Sequence, residues 1–336
     1  MKILVAADFH FDNWFRAGRE LTEGAWSLLA QADAVIIAGD LVNDPENNLA
    51  NAFAWFGRQL NLSKVWFVPG NHDYYRFHLQ GDDTLAAICA KAGANFAQKS
   101  VLEFDGVQFL LCTLWSDFAL TGLAGLSASV ARRVINDYNY ISKAEDRLHR
   151  IVPEDTIAIF HDHVAWLDAE LGKPFKGRRV VVTHHGPHRA VAGDIDQLTP
   201  TFVSDLDWLI AKHAPELWLF GHTHRRLQAD VGKTHIRNMS LGYSQEVPRE
   251  SEEILLSRGM IDTRSERLAE PLFLGRDIVR DLPGQISFVT EEDMPGPVRQ
   301  AFASSQAHAT RPLIDGVEQA HYAHDWLRFC AQLGIA

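Results

Sequence analysis

The stretch "LWLFGHTHRR", Leu217 to Arg226, carries a run of bulky apolar residues into a glycine and then sets His222 and His224 on either side of Thr223. A short, uninterrupted apolar run closed by glycine reads as a strand buried on both faces, the situation of a parallel sheet covered by helices. "KILVAA" (Lys2 to Ala7), "AVIIAG" (Ala34 to Gly39), "VWFVPG" (Val65 to Gly70), "VQFLLCTLW" (Val107 to Trp115) and "VVVTHH" (Val180 to His185) share that character. Between many of them, apolar residues recur at three and four, which predicts helices over Glu20 to Gln31, Asn48 to Leu60, Asp82 to Lys91, Pro153 to Leu171 and Phe202 to His213. Such alternation predicts an α/β layered fold with helices outside a sheet or a pair of sheets.

In α/β folds, sites are built at the carboxyl ends of strands, and here those ends are polar. Asp8 and His10 follow the first run, Asp40 the second within "AGDLVN", and Asn71 and His72 the third within "PGNHD". His184 and His185 follow "VVVT", and His222 and His224 follow "LWLFG". In extended chain, residues i and i+2 point the same way, so Asp8 with His10, and His222 with His224, are each expected to aim two side chains at one place. A lone D-x-H, or a single histidine at a strand end, is more often a hydrogen-bonded structural feature than a metal site. The ordered set D-x-H, G-D-x-x-N, G-N-H-D, T-H-H and G-H-T-H is a different matter, because chance does not place five such motifs at five strand ends. Paired imidazoles at a strand mouth make sense if two adjacent cations sit there.

This series resembles the calcineurin-like metallophosphoesterases, over roughly Met1 to Glu250. A closer likeness, to an uncharacterised bacterial branch, runs through "TLWSDFAL", "NDYNYI", "FVSDLDWL" and the pair Gly242 and Tyr243. The resemblance implies a four-layer α/β/β/α sandwich and two divalent metal ions. It assigns Asp8, His10 and His224 to the first metal, Asp40 to both, and Asn71, His184 and His222 to the second. His72 is implied to stand beside the metals and to stabilise or protonate the leaving oxygen, so Asp40 and His72 are the expected catalytic residues. Of the adjacent pair His184 and His185, which face opposite ways in extended chain, the family pattern favours the first as ligand. Asn43 stands where some members carry an aspartate that orients the proton-donating histidine, which leaves Asp44 and Asp73 as alternative orienters.

The implied chemistry is hydrolysis by a hydroxide shared between metals roughly 3.5 to 4 Å apart, attacking phosphorus in line with the departing alcohol. Two divalent cations less Asp8, Asp40 and one hydroxide leave a formal charge of about +1, enough to attract phosphate within an acidic protein. Mixed oxygen and imidazole ligands suit manganese or iron, with zinc or nickel as alternatives, better than calcium. The expected activity is that of a phosphodiesterase on small phosphodiesters. The alternatives are a phosphomonoesterase or phosphoprotein phosphatase, and a non-catalytic metal-binding scaffold; a complete set of costly buried ligands argues against the scaffold.

Composition bounds the rest. The chain has 336 residues, 46% hydrophobic and 22% charged, with a net charge of −11, which suits one large globular domain and disfavours nucleic acid as partner. Cys89, Cys112 and Cys330 lie far apart without a CxxC pair, and no apolar stretch approaches the ~20 residues of a membrane span, so a cytoplasmic protein without a membrane partner is expected. The catalytic domain is read as residues 1–250, with an insertion over roughly 74–178 whose Tyr74, Arg76, His78, Arg132, Arg133, Asn136 and Tyr138 are candidates for the substrate mouth. His161 and His163 fall in a helical pattern and read as core or surface residues, while Arg225 or Arg226 is a candidate phosphate contact. Residues 251–336 read as an extension of unknown role. It ends in an amphipathic helix through Tyr322, Trp326, Phe329, Cys330 and Leu333, a candidate for docking on its own domain, self-association or partner binding.

Overall fold

The computed structural model describes residues 1–269. They belong to one compact unit, Met1–Phe273; a second, Leu274–Ala336, lies outside the described residues, and with it the amphipathic helix expected near the C-terminus. Eleven strands form among the described residues: β1 (Lys2–Ala6), β2 (Ala34–Ala38), β3 (Val65–Val68), β4 (Asn95–Phe96), β5 (Ser100–Phe104), β6 (Val107–Cys112), β7 (Arg178–Thr183), β8 (Leu217–Phe220), β9 (Gln228–Val231), β10 (Thr234–Asn238) and β11 (Met260–Asp262). One sheet runs in the order β11-β1-β2-β3-β4 and the other β5-β6-β7-β8-β10-β9. Their central pairs, β1 with β2, β2 with β3, β6 with β7 and β7 with β8, are all parallel. The antiparallel pairs β11 with β1, β5 with β6 and β9 with β10 close three of the edges.

The uninterrupted apolar runs have a direct cause in this arrangement. Ile3, Val5, Ile36, Phe109, Leu111, Val180, Val182, Leu217 and Leu219 form a core between the sheets. Their alternates Leu4, Val35, Ile37, Phe67, Leu110, Val181, Trp218 and Phe220 pack with helical residues such as Leu28, Leu29, Phe53, Phe56, Leu167 and Leu209. The central strands β1, β2, β6, β7 and β8 therefore bury both faces, one on the other sheet and one under helices, which makes the four layers α/β/β/α.

Helices form largely where the periodicity placed them. Thr22 caps Glu23–Gln31 by accepting from the Ala25 amide, and Pro45 opens Pro45–Phe56 at the first helical position, where its missing N–H costs nothing. Asp82–Ala92 and Pro153–Gly172 follow the expected bounds closely. The helix expected over Phe202 to His213 is instead two, Thr199–Phe202 and Asp207–His213. Val203 between them is extended and bridges to Gly186, and the Ser204 hydroxyl donates to Asp117, so tertiary pairing overrides the local pattern. The run "VQFLLCTLW" likewise stops being strand at Cys112, because Leu114 and Trp115 take left-handed φ values of 72° and 62°.

The sheets meet at their carboxyl ends. Beyond β1, Ala7 bridges in parallel to Ser240, its amide donating to the Met239 carbonyl while the Leu241 amide donates to its own. The Asp8 amide donates to Gly39, which ends the β2 segment. The loops after β1, β2, β3, β7 and β8 are thus drawn into one place.

Candidate active site

Asp8, His10, Asp40, His72, His184, His222 and His224 converge as three overlapping clusters, Asp8 with His10 and His224, His10 with Asp40 and His72, and Asp40 with His184 and His222. Within each, nitrogen and oxygen atoms that can ligate lie within 4.8 Å of one another. Asp40 stands at the centre. One of its carboxylate oxygens lies 3.3 Å from His184 Nε2, and the other 3.8 Å from His10 Nε2 and 4.0 Å from His72 Nε2. Asn71 Oδ1 lies 3.0 Å from His184 Nε2, which brings the neutral amide to the same side as His184.

The convergence does not come from extended chain. Asp8, His10, Asp40, His222 and His224 have φ of 59°, 44°, 55°, 68° and 51°, so the expectation that Asp8/His10 and His222/His224 align by strand alternation is corrected. Left-handed backbone costs a non-glycine residue of order 1 kcal/mol or more, and its concentration at strand ends marks chain bent to converge rather than to pair. Close approach explains two neighbouring glycines. A Cβ at Gly39 would overlap the His184 ring, and one at Gly70 would overlap the Asp40 carboxylate.

Burial is nearly complete: Asp8, His10 and His184 expose nothing and Asp40 exposes 1%. Both ring nitrogens of His222 and Nδ1 of His10 are buried without a hydrogen-bond partner among the described residues. Orphaned imidazole nitrogens beside carboxylates fit divalent cations, since a buried polar atom left without a partner is otherwise destabilising. Burial holds the His10, His222 and His185 rings toward the neutral form, the form that ligates. Burial acts on His184 and His224 too, but is outweighed by Asp40 at His184, lifting it to about 9, and by hydrogen bonds that the His224 ring donates to Asp8 and Glu246, lifting it to about 10.

Partners missed in the sequence orient these groups. Glu246 lies 2.8 Å from His224 Nδ1, the Ala38 carbonyl 2.9 Å from His184 Nδ1, and Asp137 accepts from the Asn71 amide at 2.8 Å and from the Tyr75 hydroxyl at 2.7 Å. Tyr243 stacks on His10 and Tyr75 on His72. Tyr243 was marked in the sequence only by its pairing with Gly242 in the family likeness, and Asp137 only as part of "NDYNYI"; no motif marked Glu246.

His184 and His185 diverge: His184 faces Asp40 and Asn71, while His185 stacks on Trp115 and against His222. Neither Asp44 nor Asp73 orients His72. The Asp73 carboxylate accepts from the backbone amides of Asp40, Leu41, Val42 and Gly70, and Asp44 accepts from the Asn47 side chain. Asn43 itself meets His72, its Oδ1 lying 2.9 Å from Nδ1.

A cleft of about 300 Å³ opens beside His72, lined by Asp12, Arg16, Asn43, Tyr75, Arg76 and Tyr140 among others. Of the residues expected at the substrate mouth, Arg76 lines this cleft. Tyr74, His78 and Tyr138 are buried, and Arg132, Arg133 and Asn136 are exposed outside its lining. His161 is a surface residue and His163 a core one, its Nδ1 accepting from the Leu114 amide. Arg225 reaches the Ala192 carbonyl. No helix among the described residues is long and apolar enough to cross a membrane, and Cys89 and Cys112 are buried free thiols.

Comparison with known proteins agrees with this geometry. A family model described as calcineurin-like phosphoesterase matches residues 1–226. An uncharacterised protein of Acanthamoeba polyphaga mimivirus is 28% identical over 202 residues, 54% of this chain and 69% of its own length. The crystal structure of a phosphopantetheinyl hydrolase from Mycobacterium tuberculosis superposes with a TM-score of 0.59 at 18% identity, covering 82% of this chain and 98% of that one, a likeness of fold.

Proposed function

We propose, from the premise that this chain belongs to the calcineurin-like phosphoesterases, that it cleaves small phosphodiesters at the clustered strand ends. Membership carries the reaction class: the protein is a metal-dependent hydrolase acting on phosphoester bonds. In our reading Asp8, His10 and His224 hold one divalent cation, Asn71, His184 and His222 the second, and Asp40 both. The observation that carries it is the pairing of Asp40's two oxygens with different histidines, His184 on one side and His10 and His72 on the other, next to His222, whose two ring nitrogens are buried without a hydrogen-bond partner among the described residues. Oxygen and imidazole ligands without thiolate favour manganese or iron, then zinc or nickel.

When bound, two divalent cations supply Lewis-acid polarisation of the phosphoryl group and make water acidic enough to react near neutral pH. The chain's own residues do the rest. Asp40 sets the spacing of the two ligand groups, since a single carboxylate spans both. Glu246 and the Ala38 carbonyl hold the rings of His224 and His184 by their far nitrogens. His72, whose side chain is 19% exposed, is the member of the cluster that opens onto the cleft, and it hands a proton to the departing alcohol there. A cleft of this size beside His72 supports a diester, because the second substituent has somewhere to lie. The buried free thiols support placing the protein in the cytoplasm.

The test is the ratio of hydrolysis rates for bis(p-nitrophenyl) phosphate and p-nitrophenyl phosphate in manganese buffer, with Asp40→Ala as the blank. We expect the diester to be preferred and Asp40→Ala to be inactive on both. Preference for the monoester would move the assignment to a phosphomonoesterase, and metal uptake without hydrolysis of either ester would return it to a metal-binding scaffold.

A further inference from the structure

The side of His72 away from the metal ligands holds a short polar chain. His72 Nδ1 lies 2.9 Å from Asn43 Oδ1, the Asn43 side-chain amide donates to Asp12 Oδ2 at 2.8 Å, and the Asn43 backbone amide donates to Asp12 Oδ1 at 3.2 Å. Asp12 thus grips Asn43 by two donors at once, one with each carboxylate oxygen. A carboxylate only accepts, so the Asn43 NH₂ must face Asp12 and its carbonyl oxygen must face His72. That oxygen in turn accepts only from a ring nitrogen that carries hydrogen. We infer that Asp12 is a positioning residue: by fixing the orientation of the Asn43 amide, it keeps the proton of His72 on Nδ1 and turns Nε2 toward the reacting oxygen.

Its surroundings suit the role. The Asp12 side chain is 11% exposed, and the nearby cation is Arg16, 3.7 Å away on the next helical turn and itself 77% exposed. Asp12, Asn43 and His72 line the same cleft, and Tyr75 stacks on the His72 ring, so the ring is held both in its plane and at its edge. His72 Nε2 faces Asp40 at 4.0 Å, on the side where the scissile bond lies in the proposed reaction. Without Asp12 the amide is free to turn over and offer NH₂ to Nδ1, which stabilises the opposite tautomer. With Nδ1–H held by the Asn43 oxygen, Nε2 is the ring nitrogen left to face the reacting oxygen. Two side chains here share what one carboxylate does where an aspartate stands at the position of Asn43.

The inference rests on the reading of His72 as proton donor, and the experiments separate the two. In the metal-free protein, ¹⁵N chemical shifts of the His72 ring should report hydrogen on Nδ1 near pH 8, with a shift toward the Nε2 tautomer in Asp12→Ala. In the manganese enzyme, Asp12→Ala should lower kcat about 10- to 100-fold on alkyl phosphodiesters but less than about 3-fold on nitrophenyl esters, with KM unchanged. The exchange pair Asp12→Asn with Asn43→Asp keeps donor and acceptor in order and should recover most of that loss. Asn43→Asp alone sets two carboxylates together and should not. Equal losses on both ester types for Asp12→Ala, alongside a strong contrast for His72→Ala, would overturn the positioning role alone. No contrast for His72→Ala itself would overturn both readings. If Asp12→Ala does not fold, Asp12→Asn carries the same comparison, because it preserves volume and removes only the enforced direction of the amide.

Discussion

Glu246 shows how much of this site depends on single residues outside the motifs. Its carboxylate meets His224 Nδ1 at 2.8 Å and also accepts from the Tyr243 amide, so one side chain sets both the His224 ring and the tyrosine stacked on His10. Carboxylates behind ligating histidines raise the basicity of the ring and hold its far nitrogen in place, and removing one typically costs 10–100-fold in metal affinity. Glu246→Gln should therefore weaken manganese binding by about 10–100-fold by titration calorimetry, whereas Asp40→Ala should abolish uptake. Unchanged affinity in Glu246→Gln would show that the ring is held by packing alone. Five motif residues, Asp8, His10, Asp40, His222 and His224, were legible as candidate ligands from the motif series and the family it resembles, but their left-handed backbone was not. Nothing in a D-x-H spacing reports φ; that is set by which neighbouring loop takes the next amide.

At the scale of elements, the long helix Pro153–Gly172 does more than cover a sheet. It buries His163, whose Nδ1 accepts from the Leu114 amide just after β6, where the chain leaves the strand and bends with left-handed φ. Burial pushes the His163 ring down from 6.5 to about 4, with Asp162 pulling weakly the other way. Because the folded pKa is depressed, the unfolded chain binds a proton first as pH falls. The neutral ring's contribution is complete above about 6.5 and is lost progressively toward pH 4. His163→Gln should remove one proton from that dependence, flattening the fall of unfolding free energy by up to ~1.4 kcal/mol per pH unit in this window. Urea unfolding of both proteins at pH 7, 6 and 5 measures it, and parallel slopes would sink the assignment. The helix itself was legible from its periodicity, since Phe160, Val164, Leu167 and Leu171 are its buried stripe. The broken helix at Val203 was not, because its pairing partner Gly186 lies outside the local window.

For the whole molecule, the candidate ligands come from both sheets, three strand ends of one and two of the other. In the proposed reading, cations held by Asp40 with His10 on one side and His184 on the other would fasten the two sheets, adding to the apolar core they share. A ligand that binds the folded state alone stabilises it by RT ln(1 + [L]/Kd), ~2.7 kcal/mol at a hundredfold excess over Kd. Manganese at that excess should raise the urea midpoint of the wild-type protein and leave Asp40→Ala where it was. A rise of equal size in both would mean that the ions bind elsewhere on an acidic surface with a net charge of −11.

By itself the amino-acid order determined the layered α/β class, because strands buried on two faces must be apolar throughout. It also marked the reaction class, because five polar strand ends in one order match the motif series of the calcineurin-like phosphoesterases. Tertiary structure alone decided which oxygen and which nitrogen meet. Asp12, Asn71, Asp137 and Glu246 reach their partners across 31, 66 and 22 positions of chain, distances over which no periodicity survives. Local spacing reports the face of a strand or helix, whereas a hydrogen bond between loops reports how two sheets are stacked, and only the folded chain contains that information.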